Sequence, residues 1–399
     1  MTPKFCHRQF LLPCLFAISF LAATTVVAGC PEPIPAPNAA SLQMLVLGDS
    51  IMWGQGLRED EKFSARIKCW LQEKTGRAVN LHVEAHSGAV ISADSGKRSN
   101  FLARSGEVNS TTPTINEELD HAVEFYQQQR AAPALILLNG CINDVGVKTL
   151  LAASTPVAAI QTQASKSCGD DMYALLQRVH TNFPQSYVFV TGYYPIVSLQ
   201  TADNAFLRLL VKKLNQGPEA RQLSDKEMRA RLIALSDEWY KTSTASLQAA
   251  VDRINATSTA GLAIPKVTFV EIQFGPEHVF AAPDTLLWNF MFASTNLTGF
   301  TKAIVLLSFG TAAYKTNDHV RESRIKSCEQ TFQKPKGVKE EKAKKEARQD
   351  LFLICRYASL GHPNQMGALI YAEAIKGHLQ QLLDQAGWKS NPNPSLTIQ

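Results

Sequence analysis

The sequence predicts a three-layer α/β sandwich built on a mainly parallel sheet. Short apolar runs recur along the chain, amphipathic segments of helical period separate them, and two of the runs are apolar on both faces. Residues 134–138 (Ala134-Leu135-Ile136-Leu137-Leu138) and 187–192 (Tyr187-Val188-Phe189-Val190-Thr191-Gly192) show almost no polar alternation. A strand covered by helices on both sides reads that way. Strands alternating with helices then imply parallel pairing through right-handed crossovers.

The elements follow in order. Residues 43–48 form a first strand, and 61–73 a helix whose Phe63, Ile67, Trp70 and Leu71 recur at helical spacing. A second strand, 79–85, follows Thr75-Gly76-Arg77. Residues 115–129 are helical, with Ile115, Leu119, Val123 and Phe125 set among acids and glutamines. The run 134–138 is the third strand, 164–183 a helix, 187–192 a fourth strand, 267–272 a further strand and 365–385 a closing helix. Two stretches break the alternation. Residues 199–262 are polar and helix-rich, while 274–312 concentrate Phe280, Leu286, Leu287, Trp288, Phe290, Met291, Phe292, Phe300 and Phe309. They read as an insertion at about 199–340 in a single domain spanning 42–388, with a tail at 389–399. The apolar stretch is either a packed subdomain or a lid and acyl-chain surface; large exposed apolar patches are rare, which favours packing. The charged run 334–349 reads as a solvated helix of mixed-sign pairs, with attraction to an anionic membrane surface as the alternative.

Residues 1–29 have the form of an export signal: Lys4, His7 and Arg8, an apolar run 10–20, then small residues. The apolar core is too short to span a membrane as a helix. Val27-Ala28-Gly29-Cys30 resembles the bacterial lipobox, which implies a lipid on Cys30, and the Pro-rich residues 30–41 suit a tether between anchor and domain. The competing reading is ordinary cleavage after Ala28. The expected location is the cell envelope, as a lipoprotein of the outer membrane or periplasm held by that anchor, or else secretion.

Hydrophobic residues make up 45% of the 399-residue chain and charged ones 19%, ample for a globular core. The net charge of +5 forms no Lys/Arg stripe and accompanies no nucleic-acid-binding signature, so no nucleic-acid partner is expected. A monomer is expected. Removing Cys6 and Cys14 with the signal and Cys30 with the lipid leaves Cys69, Cys141, Cys168, Cys328 and Cys355. The expected disulfides are Cys141 with Cys168 and Cys328 with Cys355, leaving one thiol over. The spacings fit no zinc template, and no metal is expected.

Chemistry concentrates at the strand ends, where ligands bind in open α/β sheets. The first strand runs into Gly48-Asp49-Ser50, placing a serine hydroxyl where a following helix turns its free N–H groups toward an anion. His86-Ser87-Gly88-Ala89 follows the second, with a glycine that lets backbone approach a ligand. Gly140-Cys141-Ile142-Asn143-Asp144 follows the third, and its asparagine amide is a candidate oxyanion donor. Ser359-Leu360-Gly361-His362-Pro363-Asn364 precedes the closing helix and offers an imidazole. Nucleophile, base and oxyanion donors are the requirements of acyl transfer through serine.

In this order the four blocks resemble those of the SGNH, or GDSL, hydrolase superfamily: Gly48-Asp49-Ser50 the first, Gly88 the second, Gly140-x-x-Asn143-Asp144 the third and His362-Pro363-Asn364 the last. The resemblance implies a flavodoxin-like α/β/α fold, no cofactor, Ser50 as nucleophile and His362 as general base and acid. It implies an oxyanion hole from the Ser50 N–H, the Gly88 N–H and the Asn143 side chain. The family writes its last block Asp-x-x-His, and this chain has Ser359 where that aspartate stands. A carboxylate there fixes the imidazole's tautomer and stabilises the imidazolium; serine supplies no charge. Three accounts stand open: Ser359 or a backbone carbonyl orients His362 in a dyad, a carboxylate such as Asp350 or Asp144 reaches in, or activity is weak or lost.

Blander roles suit the neighbours. His86 is expected to be a structural hydrogen bonder, Trp53 and Trp70 core residues, Asp49 and Asp144 fixers of their turns. The expected function is an exported serine esterase or lipase acting on a lipid, aryl or acetylated-glycan ester. The alternatives are a non-catalytic envelope binding module of the same fold and an O-acyltransferase.

Overall fold

The computed structural model describes residues 30, 41–92, 104–108, 113–258, 266–291, 315–333 and 341–385. The proposed signal, most of the tether, the C-terminal tail and Phe292, Phe300 and Phe309 lie outside these. Among the described residues five strands form one sheet in the order β2-β1-β3-β4-β5. They are β1 (Leu42–Leu47), β2 (Val79–Val83), β3 (Leu135–Leu138), β4 (Tyr187–Thr191) and β5 (Val267–Val270). Every pairing is parallel; Leu45 stands between His82 and Ile136, and Phe189 between Leu137 and Thr268. This is the doubly wound, flavodoxin-like order.

Helices cover both faces. On one lie α2 (Phe63–Thr75) and the closing helix α13 (Gln365–Gln385), which pack on each other. On the other lie α3 (Ile115–Gln129), α6 (Val157–Ala164), α7 (Met172–Asn182) and α10 (Asp225–Ser258). Between α6 and α7 the chain winds as a π-helix, Ser165–Asp171. Shorter helices are α1 (Ser50–Trp53), α4 (Ile142–Val145), α5 (Val147–Leu150), α8 (Ala205–Leu214) and α9 (Pro218–Arg221); α11 (Arg321–Thr331) and α12 (Lys342–Arg356) follow β5. The central strands are fully buried: Leu45, Val46, Leu137 and Leu138 expose no surface. With both faces covered, nothing selects for polar alternation, which is why β3 and β4 read as unbroken apolar runs.

Helix ends follow local chemistry. Thr114 caps α3 by accepting from the Glu117 N–H while the Glu117 carboxylate returns to the Thr114 N–H, a capping box. Gly76, in the left-handed region at φ 64°, ends α2.

Two expectations are corrected. The insertion predicted at about 199–340 contains β5 and α10, which belong to the sandwich: α10 packs on α6, α7 and β5 and supplies the β4-to-β5 crossover. What departs from the layers is α8, whose Phe206 and Leu207 pack with Ala281 and Phe290, together with the chain after Val270. Cys30 was expected to carry a lipid; its sulfur is instead bonded to Cys69, and a disulfide sulfur has no valence left for a thioether. That pairing also removes the surplus thiol. Cys141–Cys168 and Cys328–Cys355 are paired as expected.

Within the apolar stretch, Phe274, Val279, Leu287, Trp288 and Phe290 are buried while Met291 is exposed, so most of its described part is packed interior. No helix among the described residues is long and apolar enough to cross a membrane.

Candidate active site

Parallel strands bring their C-terminal ends to one edge of the sheet, and three of the four sequence blocks sit there. Ser50 is the first residue of α1, capped by Asp49, whose Oδ1 accepts from the Ile51 N–H at 2.8 Å. The cap residue is held in turn: Asn139 donates its amide to Asp49 Oδ1 at 3.0 Å, and the Tyr193 hydroxyl donates to Oδ2 at 2.7 Å. Gly48 permits the approach. Its φ is 135°, and a Cβ there would lie 2.2 Å from Asn139 Oδ1, a collision in a conformation that already disfavours side chains. Its N–H donates at 2.7 Å to Glu118, a fully buried carboxyl that burial pushes well above the ordinary range. Burial likewise raises Asp49 against the hydrogen bonds from Tyr193, Ile51 and Asn139. The role expected for Asp49, fixing its turn, is the one these contacts describe.

At the end of β2, Gly88 lies in a turn at φ 85°. His86, next to it, is buried; its Nδ1 lies 3.1 Å from Glu107 and its backbone N–H bonds the Gly48 carbonyl. It is thus a hydrogen bonder of the scaffold.

The turn after β3 is strained. Cys141 sits at φ 107°, a conformation that costs a non-glycine residue on the order of 1–3 kcal/mol and persists only where its surroundings enforce it. The Cys141–Cys168 disulfide ties the turn to the π-helical stretch, a form of helix often found beside functional sites. Asn143 follows on α4 with its amide donating to the Ala89 carbonyl at 3.0 Å. Asp144 accepts from the Ile91 N–H at 3.0 Å, and burial brings its pKa up to about 6. The Tyr193 hydroxyl accepts the Ile142 N–H at 3.4 Å while donating to Asp49, so one phenol bridges the Ser50 and Asn143 turns.

The fourth block arrives from 312 residues away: His362 Nε2 stands 2.6 Å from Ser50 Oγ. Its turn is tied to the 286–290 segment, the Trp288 N–H bonding the His362 carbonyl at 2.7 Å and the Gly361 N–H the Trp288 carbonyl at 3.0 Å. The Tyr194 hydroxyl holds the Gly361 carbonyl at 2.8 Å. Burial brings the imidazole's pKa down to about 4, opposed by the Ser359 and Leu360 carbonyls, which favour the charged ring. Nδ1 is buried and makes no hydrogen bond among the described residues.

The acid question has an answer the sequence did not offer. The Ser359 hydroxyl does not bond the imidazole; it donates at 2.8 Å to Asp318 Oδ2. Asp350 is exposed on α12 and Asp144 is engaged with Ile91, so neither proposed carboxylate reaches His362. Asp318 is buried and paired with Arg324, itself wholly buried, and accepts from Thr316. Burial alone raises such a carboxyl; the Arg324 guanidinium and the two hydroxyls outweigh it and hold Asp318 below its ordinary value. Sequence reasoning missed both residues, which lie 41 and 35 positions before Ser359.

Comparison with known proteins gives distant similarities. No family model matches the chain, and no curated protein matches it. Among solved structures it is similar to a carbohydrate esterase family 2 enzyme with a carbohydrate-binding domain from Corynascus thermopiles (Myceliophthora fergusii), 18% identical over 59% of each chain with a TM-score of 0.31. This chain thus spans less than two thirds of that protein. It is also similar to an extracellular lipase from Streptomyces rimosus (15% identity, 67% of this chain and 99% of that one, TM-score 0.37). A third is phospholipase A1 from Streptomyces albidoflavus NA297 (16% identity, 67% and 99%, TM-score 0.35).

Proposed function

We propose that the chain is an exported serine esterase of the SGNH type, hydrolysing carboxylic esters through an acyl-Ser50 intermediate. The observation that carries this is the 2.6 Å contact between His362 Nε2 and Ser50 Oγ, within reach for proton transfer in a base–nucleophile pair. A neutral imidazole is the form that accepts a proton, and burial keeps His362 neutral at ordinary pH.

In the proposed cycle Ser50 Oγ attacks the ester carbonyl carbon as its proton passes to Nε2. The oxyanion is met by the Ser50 N–H, the Gly88 N–H and the Asn143 amide, donors set at a helix start and two strand-end turns. Collapse breaks the carbonyl–alkoxy bond, and Nε2 returns the proton to the departing alcohol. Water, deprotonated by His362, then attacks the acyl-serine and releases the acid. The chemistry needs no cofactor. Export is supported by three disulfides, a pattern of oxidising compartments, and ordinary signal cleavage after Ala28 leaves Cys30 available for its bond. The substrate is an ester of a lipid, an aryl alcohol or an acetylated glycan.

The test is a fluorophosphonate label followed by peptide mapping, alongside hydrolysis of p-nitrophenyl esters of increasing acyl length. Labelling confined to Ser50, with hydrolysis lost in Ser50→Ala, is the expected result. Equal background hydrolysis by wild type and variant would instead place the fold among non-catalytic binding modules, and transfer to sugar hydroxyls exceeding hydrolysis would make it an O-acyltransferase.

A further inference from the structure

Among the described residues no carboxylate hydrogen-bonds the His362 ring, yet its turn is held from three sides. Tyr194 holds the Gly361 carbonyl and Trp288 exchanges backbone bonds with Gly361 and His362. The third side is Ser359, whose carbonyl accepts the His362 N–H at 3.0 Å and whose hydroxyl is committed to Asp318. Resting on the hydrolase reading above, we infer that Asp318 is a positioning residue for His362: it anchors Ser359, and the Ser359–His362 turn so fixed aims Nε2 at Ser50.

The segment that carries Asp318 is itself anchored to the nucleophile's side of the site. The His319 N–H bonds the Gly56 carbonyl at 3.1 Å, and His319 Nδ1 lies 2.7 Å from the buried carboxylate of Glu61. Gly56, six residues beyond Ser50, fits between the Trp288 indole and Ser359; a Cβ on it would come within 2.5 Å of Trp288 Nε1 and 3.0 Å of Ser359 Cβ. Asp318 therefore joins the loop behind the nucleophile to the turn bearing the base. Its Oδ2 gathers donors from Thr316, Arg324 at 2.8 Å and Ser359.

The frame supplies geometry more than charge. Arg324 neutralises Asp318, so the pair presents little net field to the imidazole, and the Ser359 and Leu360 carbonyls are left to favour its protonated form. The arrangement also accounts for serine at position 359. A carboxylate there would face Asp318 across a hydrogen-bond distance, two buried like charges sharing one guanidinium. Ser359→Asp is accordingly expected to lower activity rather than restore an acid.

The experiment compares Ser50 fluorophosphonate labelling rate, kcat, KM and melting temperature in wild type, Ser359→Ala, and the double variants Asp318→Ala/Arg324→Met and Asp318→Asn/Arg324→Met. Both doubles remove the buried ion pair, and only the asparagine keeps an acceptor for Ser359; Ser359→Ala leaves the ion pair whole. A displaced base costs on the order of 10- to 100-fold in rate. Ser359→Ala and the alanine double should lose labelling rate and kcat on that scale at nearly unchanged KM, with the asparagine double recovering most of the loss. Equal rates in all four proteins would overturn the inference while leaving Ser50 a nucleophile. So would equal losses in the two doubles that follow melting temperature alone. A wild type that takes no label at Ser50 removes the hydrolase reading, and the inference with it.

Discussion

Replacing His362 with glutamine should change not only activity but the way stability responds to pH. Burial brings the His362 pKa from 6.5 down to about 4, so between those values the unfolded chain binds a proton that the folded chain refuses. Stability then rises with pH across this interval: the contribution is whole above about 6.5, shrinks as pH falls, and is fully lost below about 4. For these two pKa values the loss relative to neutral pH is about 2 kcal/mol at pH 5 and about 3 kcal/mol at pH 4. Other buried groups titrate in the same range, Asp144 near 6 in the opposite sense, and the measurement must subtract them. Urea unfolding of wild type and His362→Gln at pH 7 and pH 5 does so, because the other groups are common to both proteins. The stability difference between the two should move by about 2 kcal/mol in favour of the variant on acidification. A difference that stays flat would refute the buried, neutral imidazole. The same pKa sets the kinetics: kcat/KM should fall on the acid side with a midpoint near 4, and a midpoint near 6.5 would contradict the structure.

Tyr193→Phe removes the phenol that joins Asp49 to the Ile142 N–H and leaves a buried carboxylate short of a donor; a loss of about 1–3 kcal/mol in unfolding free energy is expected, together with a lower kcat from two unlinked turns. Unchanged kcat in a destabilised variant would confine Tyr193 to the scaffold. Opening the Cys141–Cys168 disulfide, by substitution of both residues with serine, frees a 27-residue separation and should cost about 3.5 kcal/mol in the chain-entropy estimate. Because it also releases the strained Cys141, esterase activity should fall before the protein unfolds, measured by activity and ellipticity along one denaturant series.

The sheet was legible because burial on both faces leaves an unmistakable trace. Leu135, Ile136, Leu137 and Leu138 run without a polar interruption, and α3 and α13 span the residues their periodicity marks out. The misplaced insertion has a specific cause. Helix α10 covers the sheet with a narrow seam of Met228, Leu232, Leu235, Trp239, Leu247, Val251 and Ile254, spaced at helical intervals inside an otherwise polar stretch. Average polarity hid a pattern that spacing would have shown. Ser50, Gly88, Asn143 and His362 announced themselves by sitting just past strands or before a helix. Asp318 and Arg324 did not: they belong to an irregular segment and the helix after it, and only tertiary folding brings them to Ser359. Cys30 shows the same limit, since its neighbours in sequence resemble a lipid-attachment site while its partner Cys69 sits on α2, 39 positions away.

The distance along the chain between Ser50 and His362 has a consequence for when the protein becomes reactive. The hydroxyl meets its base across 312 residues, and at synthesis rates of roughly 5–20 residues per second that interval lasts about 15–60 s. Throughout it the nucleophile is an ordinary alcohol, whatever strands have already formed around it. The frame around the base, with Trp288 and Asp318, also comes from the later part of the chain. On the proposed hydrolase reading, a chain that has not yet brought His362 to Ser50 carries an unactivated serine, so activity would report completed folding.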